Sequence, residues 1–589
     1  MKPRIIPEPK KFELAGGTLD LCGLSVVLSG ADVRLARAAD TLRREIADAC
    51  GVTSTLRVGE CAPDCICIAA GDDESKDDYM IDVAENGVVV GAAGKRGAFC
   101  AIQTLRQLVM LCGTELPVCR IEDEPDYADR GFYHDVTRGR VPKLDTLKAL
   151  ADELALYKYN SLQLYVEDAF AYAELAGVMS PDEVLTADEI IELDGYCHDR
   201  FIELVPSVSS FGHLYNLLQS EKYKHLCEYD NYEPTQHYWI EKMAHHTIDV
   251  GNDESIEVIK SMIDQFIPLC RSDKFNICCD ETFDLCRGKN AGKDAGEEYF
   301  NFVKKIVDHV KSRGKRVMMW GDIALNHPEH LSKLPDDVIM LNWTYEKFPK
   351  EAKIAAFDGT PFTQYVCPGT SSWNRFIEET DRASGNITAL AIYGKRHGAA
   401  GILTTNWGDY GNTCPLGAEQ YGIALAAERS WNANDAPLGE DFERTFEQIA
   451  YGEAGVELHA AEVIRTIEAC ERSAEWAKFI PWYSANYVEG KDEPIECDEE
   501  VCRQHAAICA DVAERLRIPA KTNPRINDLR LAALAVKLVN ELHLHLAGFV
   551  AKKPEYIGWL TEYRAAWLLT DKPSQLDRIE AFFRDVCAL

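Results

Sequence analysis

The 589-residue chain is 46% hydrophobic, and 63 Lys and Arg against 96 Asp and Glu leave a formal net charge of −33. Ordinary apolar content at this length excludes a disordered chain and predicts about two to four domains at roughly 100–200 residues each. Phosphate-rich partners reward Lys and Arg, so nucleic acid and anionic membrane surfaces are excluded as general partners and a neutral or small one is expected. In chain order, residues 23–29 read as a strand, 33–49 as an amphipathic helix and 65–70 as a strand. Residues 79–90 read as a hairpin turning at Asn86-Gly87, which suits the positive φ of a type I′ turn. A helix over 97–111 and the acidic link Glu122-Asp123-Glu124-Pro125 close an N-terminal α/β domain, residues 1–125.

From Asp129 the pattern becomes strand, loop, helix, repeated. Short apolar runs at 131–135, 161–167, 202–207, 275–279, 316–320, 338–343, 362–366 and 401–406 lack alternation, as strands covered on both faces do. Helical stretches lie between them at 145–156, 255–266 and 297–312. Another is opened by the capping box Thr186-x-x-Glu189, with Ile190, Leu193, Cys197 and Phe201 on one stripe. Eight such strands predict a (β/α)8 barrel over residues 126–435, with its chemistry at the C-terminal strand ends. Beyond it, 442–450, 456–477, 499–516, 526–550 and 574–586 show only helical periodicity, predicting a C-terminal α-helical domain over 436–589. That tail is expected to serve as a dimer surface, making a homo-oligomer, or as a cap over the barrel. Its His543 and His545, two apart on a helix, point to different faces and are read as structural.

The twenty-one cysteines are irregularly spaced. Cys61, Cys65 and Cys67 lack the second C-x2-C pair and the histidines of a zinc site, and Cys278-Cys279 sits inside an apolar run. Neither a disulfide framework nor a metal site is legible, and buried free thiols are expected. The residues up to Pro9 carry no apolar core of a signal peptide, and no stretch reaches the ~18 uncharged apolar residues of a membrane span. A cytoplasmic setting is the expectation.

Barrel topology reduces the search for chemistry to the strand ends: Asp135 and Arg138, Glu167 and Asp168, Gly212 and His213, Asp280 and Glu281, Trp320 and Asp322, Trp343 and Tyr345, Tyr365, Trp407 and Asp409. Aromatic faces match the C–H faces of a sugar, and carboxylates and Arg pair with vicinal hydroxyls, so a carbohydrate pocket fits this mixture. Most distinctive is the strand that runs into Asp280-Glu281. Two-carboxylate glycosidases need carboxyls about 5–5.5 Å or 6.5–9.5 Å apart across the scissile bond, which sequence neighbours on an extended backbone fit poorly. Adjacent carboxyls suit a design in which the substrate's 2-acetamido oxygen is the nucleophile: one protonates the leaving oxygen and the other holds the acetamido N–H.

On these residues the chain resembles the β-N-acetylhexosaminidases of glycoside hydrolase family 20. The resemblance rests on Arg130-Gly131 through Arg138, Tyr157-Lys158-Tyr159-Asn160, Phe211-Gly212-His213, Asp280-Glu281 and Asn406-Trp407-Gly408-Asp409, over about residues 3–430. It implies Glu281 as general acid and base, Asp280 as the residue orienting the acetamido group, and Tyr365 as the hydroxyl that meets the acetamido oxygen. It implies further that Trp320, Trp343 and Trp407 wall the pocket, that Arg138 grips O3 and O4, that Asp409 binds O4 or O6, and that His213 sits behind the acid. Either Glu167 or Asp168 approaches the sugar. The family's His-x-Gly-Gly before the acid pair is here Asn276-Ile277-Cys278-Cys279, and its last glutamate is Asp409. An intracellular enzyme trimming small glycans is implied, without cofactor or metal. Two other readings remain open: a carbohydrate-binding barrel that has lost catalysis, and a glycosidase pairing Glu281 with Asp322 or Glu167.

Overall fold

The computed structural model describes residues 2–588 apart from Glu74, Asn231 and His245. The first sheet contains β1 (Lys11–Asp20), β2 (Ser25–Ser29), β3 (Leu56–Val58), β4 (Cys65–Ala70), β5 (Tyr79–Ala84), β6 (Gly87–Ala92) and β7 (Glu115–Asp123), in the order β1-β7-β5-β6-β4-β2-β3. Helices Val33–Cys50 and Lys95–Cys112 belong to this layer, and β5 and β6 form the expected antiparallel hairpin. The sequence did not announce β1, β3 or β7. Glu122 and Asp123, read as a link, finish β7 instead, because β7 pairs on both sides with β1 and β5 and its Asp123 is buried. That carboxylate accepts from Tyr79 Oη at 2.5 Å and from Trp431 Nε1 at 2.8 Å, and Lys158 Nζ lies 3.4 Å away, which ties the sheet to the barrel. Cys61 and Cys67 form a disulfide, a pairing their spacing had not suggested. Most other cysteines are buried free thiols.

The barrel strands are β8 (Asp129–Asp135), β9 (Ser161–Tyr165), β10 (Glu203–Val205), β11 (Lys274–Asn276), β12 (Arg316–Trp320), β13 (Ile339–Trp343), β14 (Thr363–Cys367) and β15 (Gly401–Asn406). All pair in parallel in the order β10-β9-β8-β15-β14-β13-β12-β11, and a Ser207–Asn276 bridge joins the two outer strands into a ring. The interior is a packed layer that includes Tyr133, Tyr165, Met318, Trp320, Leu341 and Trp407, as expected for a barrel whose lumen is filled by side chains. Outside it, Thr186 accepts from the Glu189 N–H while the Glu189 side chain accepts in return, closing the predicted capping box at the head of Ala187–His198.

The tail is helical throughout: Gly439–Leu458, Ala460–Glu471, Trp476–Tyr483, Glu499–Leu516, Pro524–Leu546, Ile557–Thr570 and Leu576–Ala588. The predicted helix over 456–477 is divided because His459 adopts φ 54°. Ile557–Thr570, unforeseen, buries Trp559, Tyr563 and Trp567 at four-residue spacing on one face. His543 and His545 bond separate carbonyls, Val539 and Val550. The tail packs on the barrel's flank, where Arg525 grips Glu153 and Arg140 grips Asp571. Among the described residues, no helix is long and apolar enough to cross a membrane.

Candidate active site

Four of the expected residues converge on Arg138, which is 6% exposed. Its Nη1 donates to Asp409 Oδ1 at 3.0 Å and its Nη2 to Tyr165 Oη at 3.3 Å, with His213 Nδ1 also at 3.3 Å and Glu167 Oε1 3.4 Å from Nε. The guanidinium stands over the rings of Tyr165 and Trp407, at 4.7 and 5.1 Å. Asp135 assembles this corner from beneath: one oxygen accepts from the N–H groups of Thr137 and Arg138, the other from the N–H of Gly408. A single carboxylate thus fastens the loop after β8 to the loop after β15. Gly139 is needed there, since a Cβ would lie 2.1 Å from the Gly411 carbonyl oxygen.

Glu167 and Asp168 separate in role. Glu167 Oε1 accepts from Tyr165 Oη at 2.9 Å and faces Arg138, whereas Asp168 is held by Lys242 Nζ at 3.0 and 3.2 Å, by Thr137 Oγ1 and by Asn216. Lys242 also lies 3.3 Å from Glu167 Oε2. Burial pushes the Glu167 carboxyl up, while Lys242 and Arg138 pull it down. Lys242 and Asn216 come from the long excursion between β10 and β11, where no motif or periodicity marked them.

The acid pair departs from the expected extended backbone. β11 ends at Asn276, and Cys278, Cys279 and Glu281 follow at φ 56°, 66° and 49°. This left-handed path brings the neighbouring carboxyls to one histidine: His213 Nε2 lies 3.4 Å from Asp280 Oδ2 and 3.5 Å from Glu281 Oε2. Gly212 permits the approach, because a Cβ there would sit 2.8 Å from the Asp280 carbonyl oxygen. Burial alone would lower the His213 pKa, as does the neighbouring Arg138 guanidinium; the Asp280 and Glu281 carboxylates outweigh both and raise it to about 10.

Asp322 sits behind the acid, accepting the Glu281 N–H at 3.1 Å through Oδ2, while its buried Oδ1 has no hydrogen-bond partner among the described residues. Burial, reinforced by the charges of Asp280 and Glu281, raises its carboxyl to about 7. Asp409 is raised to about 6, chiefly by burial and against the pull of Arg138.

Trp320 and Trp407 are buried with ring centroids 5.8 Å apart, and Trp343 stacks on Tyr345 at 5.1 Å. Trp407 Nε1 donates to Tyr345 Oη at 2.7 Å, and the Trp373 ring packs against that tyrosine with centroids 5.0 Å apart. Tyr365 does not join them. It sits midway along β14, its hydroxyl donates to Asp129 at the first residue of β8, and its ring fills the space left by Gly401, the first residue of β15. The assignment of Tyr365 to the pocket is therefore corrected: it belongs to the opposite end of the barrel, and Tyr345 is the phenol at the strand ends.

Within the described residues, His213, Asp280 and Glu281 are the one set of three ligand groups whose atoms converge. Two carboxyls thus share one histidine, which in turn meets an arginine framed by carboxylates and by the rings of Tyr165 and Trp407.

Sequence profiles described as glycosyl hydrolase family 20, domain 2, and glycosyl hydrolase family 20, catalytic domain, match residues 2–124 and 127–363. A β-hexosaminidase of Porphyromonas gingivalis is 26% identical over 42% of this chain and 35% of its own length. Hexosaminidase D of Bos taurus is 23% identical over 35% of this chain and 60% of its own. The matched stretch thus spans about a third of the first of these relatives. Among solved structures, a chitobiase of Flavobacterium johnsoniae aligns over 95% of both chains at TM-score 0.63 and 17% identity. An N-acetyl-β-hexosaminidase of Streptomyces plicatus aligns over 78% of this chain and 95% of its own at 0.61 and 20%.

Proposed function

Because the chain belongs to glycoside hydrolase family 20, we propose that it is an exo-acting β-N-acetylhexosaminidase, releasing terminal β-linked GlcNAc or GalNAc from the non-reducing end of small glycans with retention of configuration. The observation that carries this reading is the shared contact of Asp280 and Glu281 with His213, whose other ring nitrogen meets Arg138 beside the Trp407 ring. Arg138, Asp409 and Glu167 would bind the ring hydroxyls, and Trp320, Trp343 and Trp407 would enclose the acetamido group. Glu281 gives its proton to the leaving oxygen as the acetamido oxygen attacks the anomeric carbon. Asp280 holds the N–H and stabilises the oxazolinium-like intermediate, and Glu281 then takes a proton from the water that opens it. Tyr345, bonded to Trp407 Nε1, supplies the hydroxyl for the acetamido oxygen.

The two-separate-carboxylate reading gains no support: Asp322 lies against the Glu281 backbone and Glu167 is engaged by Arg138 and Lys242. Turnover of p-nitrophenyl β-GlcNAc, β-GalNAc and β-Glc compares the routes. The 2-acetamido substrates should be cleaved and the glucoside not, and Asp280→Asn should lower kcat roughly hundredfold or more. Equal turnover of the glucoside would sink the mechanism.

A further inference from the structure

A cavity of about 590 Å3 lies between the outer face of the barrel and the helical tail, and the chemistry above makes no use of it. His134, Arg140, Glu419, Arg525 and Asp528 line it, with Leu150 as part of its apolar wall.

Its charges do not balance. Arg140 is already matched, donating to Asp571 Oδ2 at 2.7 Å, Tyr563 Oη at 3.0 Å and the Asn412 carbonyl at 2.9 Å. Arg525 is matched by Glu153, at 2.8 and 3.1 Å. Glu419 and Asp528 are left without a cation in contact: Arg140 draws on both only from a distance, and exposed Asp145 adds a further negative group at the rim. Glu419 accepts from Asn406 Nδ2 at 2.7 Å and Asp528 from the Gly417 N–H at 3.2 Å, and neither forms an ion pair among the described residues. Two carboxyls in surplus in a half-open cleft, one of them fully buried, favour protonation or a bound cation.

A third group in the wall is also unanswered. Asn406 turns its Nδ2 toward Glu419, Ser372 and Thr370, so its Oδ1 is the acceptor that faces His134 Nδ1 at 2.7 Å. His134 therefore carries its proton on Nδ1, and burial keeps the ring neutral by pushing its pKa down. Nε2 is left as a lone-pair acceptor without a hydrogen-bond partner among the described residues, on a side chain only 6% exposed. The cavity thus offers three acceptors and an apolar wall. Glu419, Asp528 and His134 do not converge as metal ligands, since the one converging set is the active-site trio. The matching occupant is an extended organic cation rather than a metal ion.

We propose that this cavity binds a small aliphatic diamine in its protonated form, with ammonium groups on Glu419 and Asp528, an N–H donated to His134 Nε2, and methylenes against Leu150. Putrescine is the probe, with 1,4-butanediol as its uncharged counterpart, titrated calorimetrically into the full chain at constant ionic strength. Putrescine should bind saturably at one site per chain and butanediol should not. Glu419→Gln with Asp528→Asn should weaken putrescine about tenfold or more, while Glu281→Gln should leave it unchanged. Both cavity carboxyls are raised to about 7, mainly by burial, so binding at pH 6 should expel protons and the measured heat should depend on the buffer. This wild-type measurement decides the matter if the double variant does not fold. Absence of saturable binding, heat that is equal in all buffers, or loss of binding in Glu281→Gln with retention in the double variant would each overturn the assignment. None of these outcomes depends on which glycoside is cleaved.

Discussion

Cys278 and Cys279 occupy left-handed backbone positions, φ 56° and 66°, that glycine adopts freely and other residues adopt at a cost of about 1–3 kcal/mol each. They stand where the family pattern has two glycines, so the sequence carried a trace of this turn without stating its shape. The carboxylates and tryptophans of the pocket were legible because each ends a strand or lies in the first few residues of the loop that follows it. Tyr365 misled because a residue within a strand can face either end of the barrel, and depth along the axis has no signature in a short apolar run. A pair of substitutions separates the two tyrosines. Tyr345→Phe should lower kcat on p-nitrophenyl β-GlcNAc by roughly tenfold to hundredfold with little change in melting temperature. Tyr365→Phe should leave kcat unchanged and act on stability alone, through its bond to Asp129.

The short helix Tyr238–Lys242 shows how an element without a sequence signature supports the site. It delivers a buried ammonium to Glu167 and Asp168 at the end of β9. Burial alone would lower the Lys242 pKa, but these two carboxylates raise it. Lys242→Met would leave Asp168 buried without its cation and Glu167 with Arg138 alone, and breaking such a pair costs about 3–5 kcal/mol. The expected outcome is a lower urea midpoint followed by tryptophan fluorescence, with a raised KM from the displaced Glu167. A midpoint equal to wild type would show that water reaches these carboxylates. Long periodic helices such as Glu499–Leu516 were readable to the residue. β3, β10 and β11, three residues each, were hidden or overextended, because pairing with neighbours defines so short a strand more than its own composition does.

Across the whole molecule, acidity couples to stability. Asp322, Glu419, Glu471 and Asp528 are raised to about 7, and Asp284 and Asp409 to about 6, in each case chiefly by burial. Between their ordinary values and these, the folded state binds more protons than the unfolded one, so their contribution to stability is lost as pH rises through about 6–7. His213 acts in the same direction, its contribution present below its ordinary 6.5 and lost toward about 10. His134, His237 and His543, held low by burial, oppose this below 6.5, but the carboxyls outnumber them. The melting temperature should therefore be higher at pH 5 than at pH 8, and a maximum above pH 7 would contradict the burial of these groups.

The first and last barrel strands pair directly, and Arg138 after β8 is framed by Trp407 and Asp409 after β15. On the ribosome, a nascent chain cannot complete the Arg138 corner until Asp409 has emerged. An abortively terminated chain would thus leave β8 without its closing partner and Arg138 without the Trp407 ring and the Asp409 carboxylate, so barrel closure and completion of this corner fall to one late stretch of synthesis.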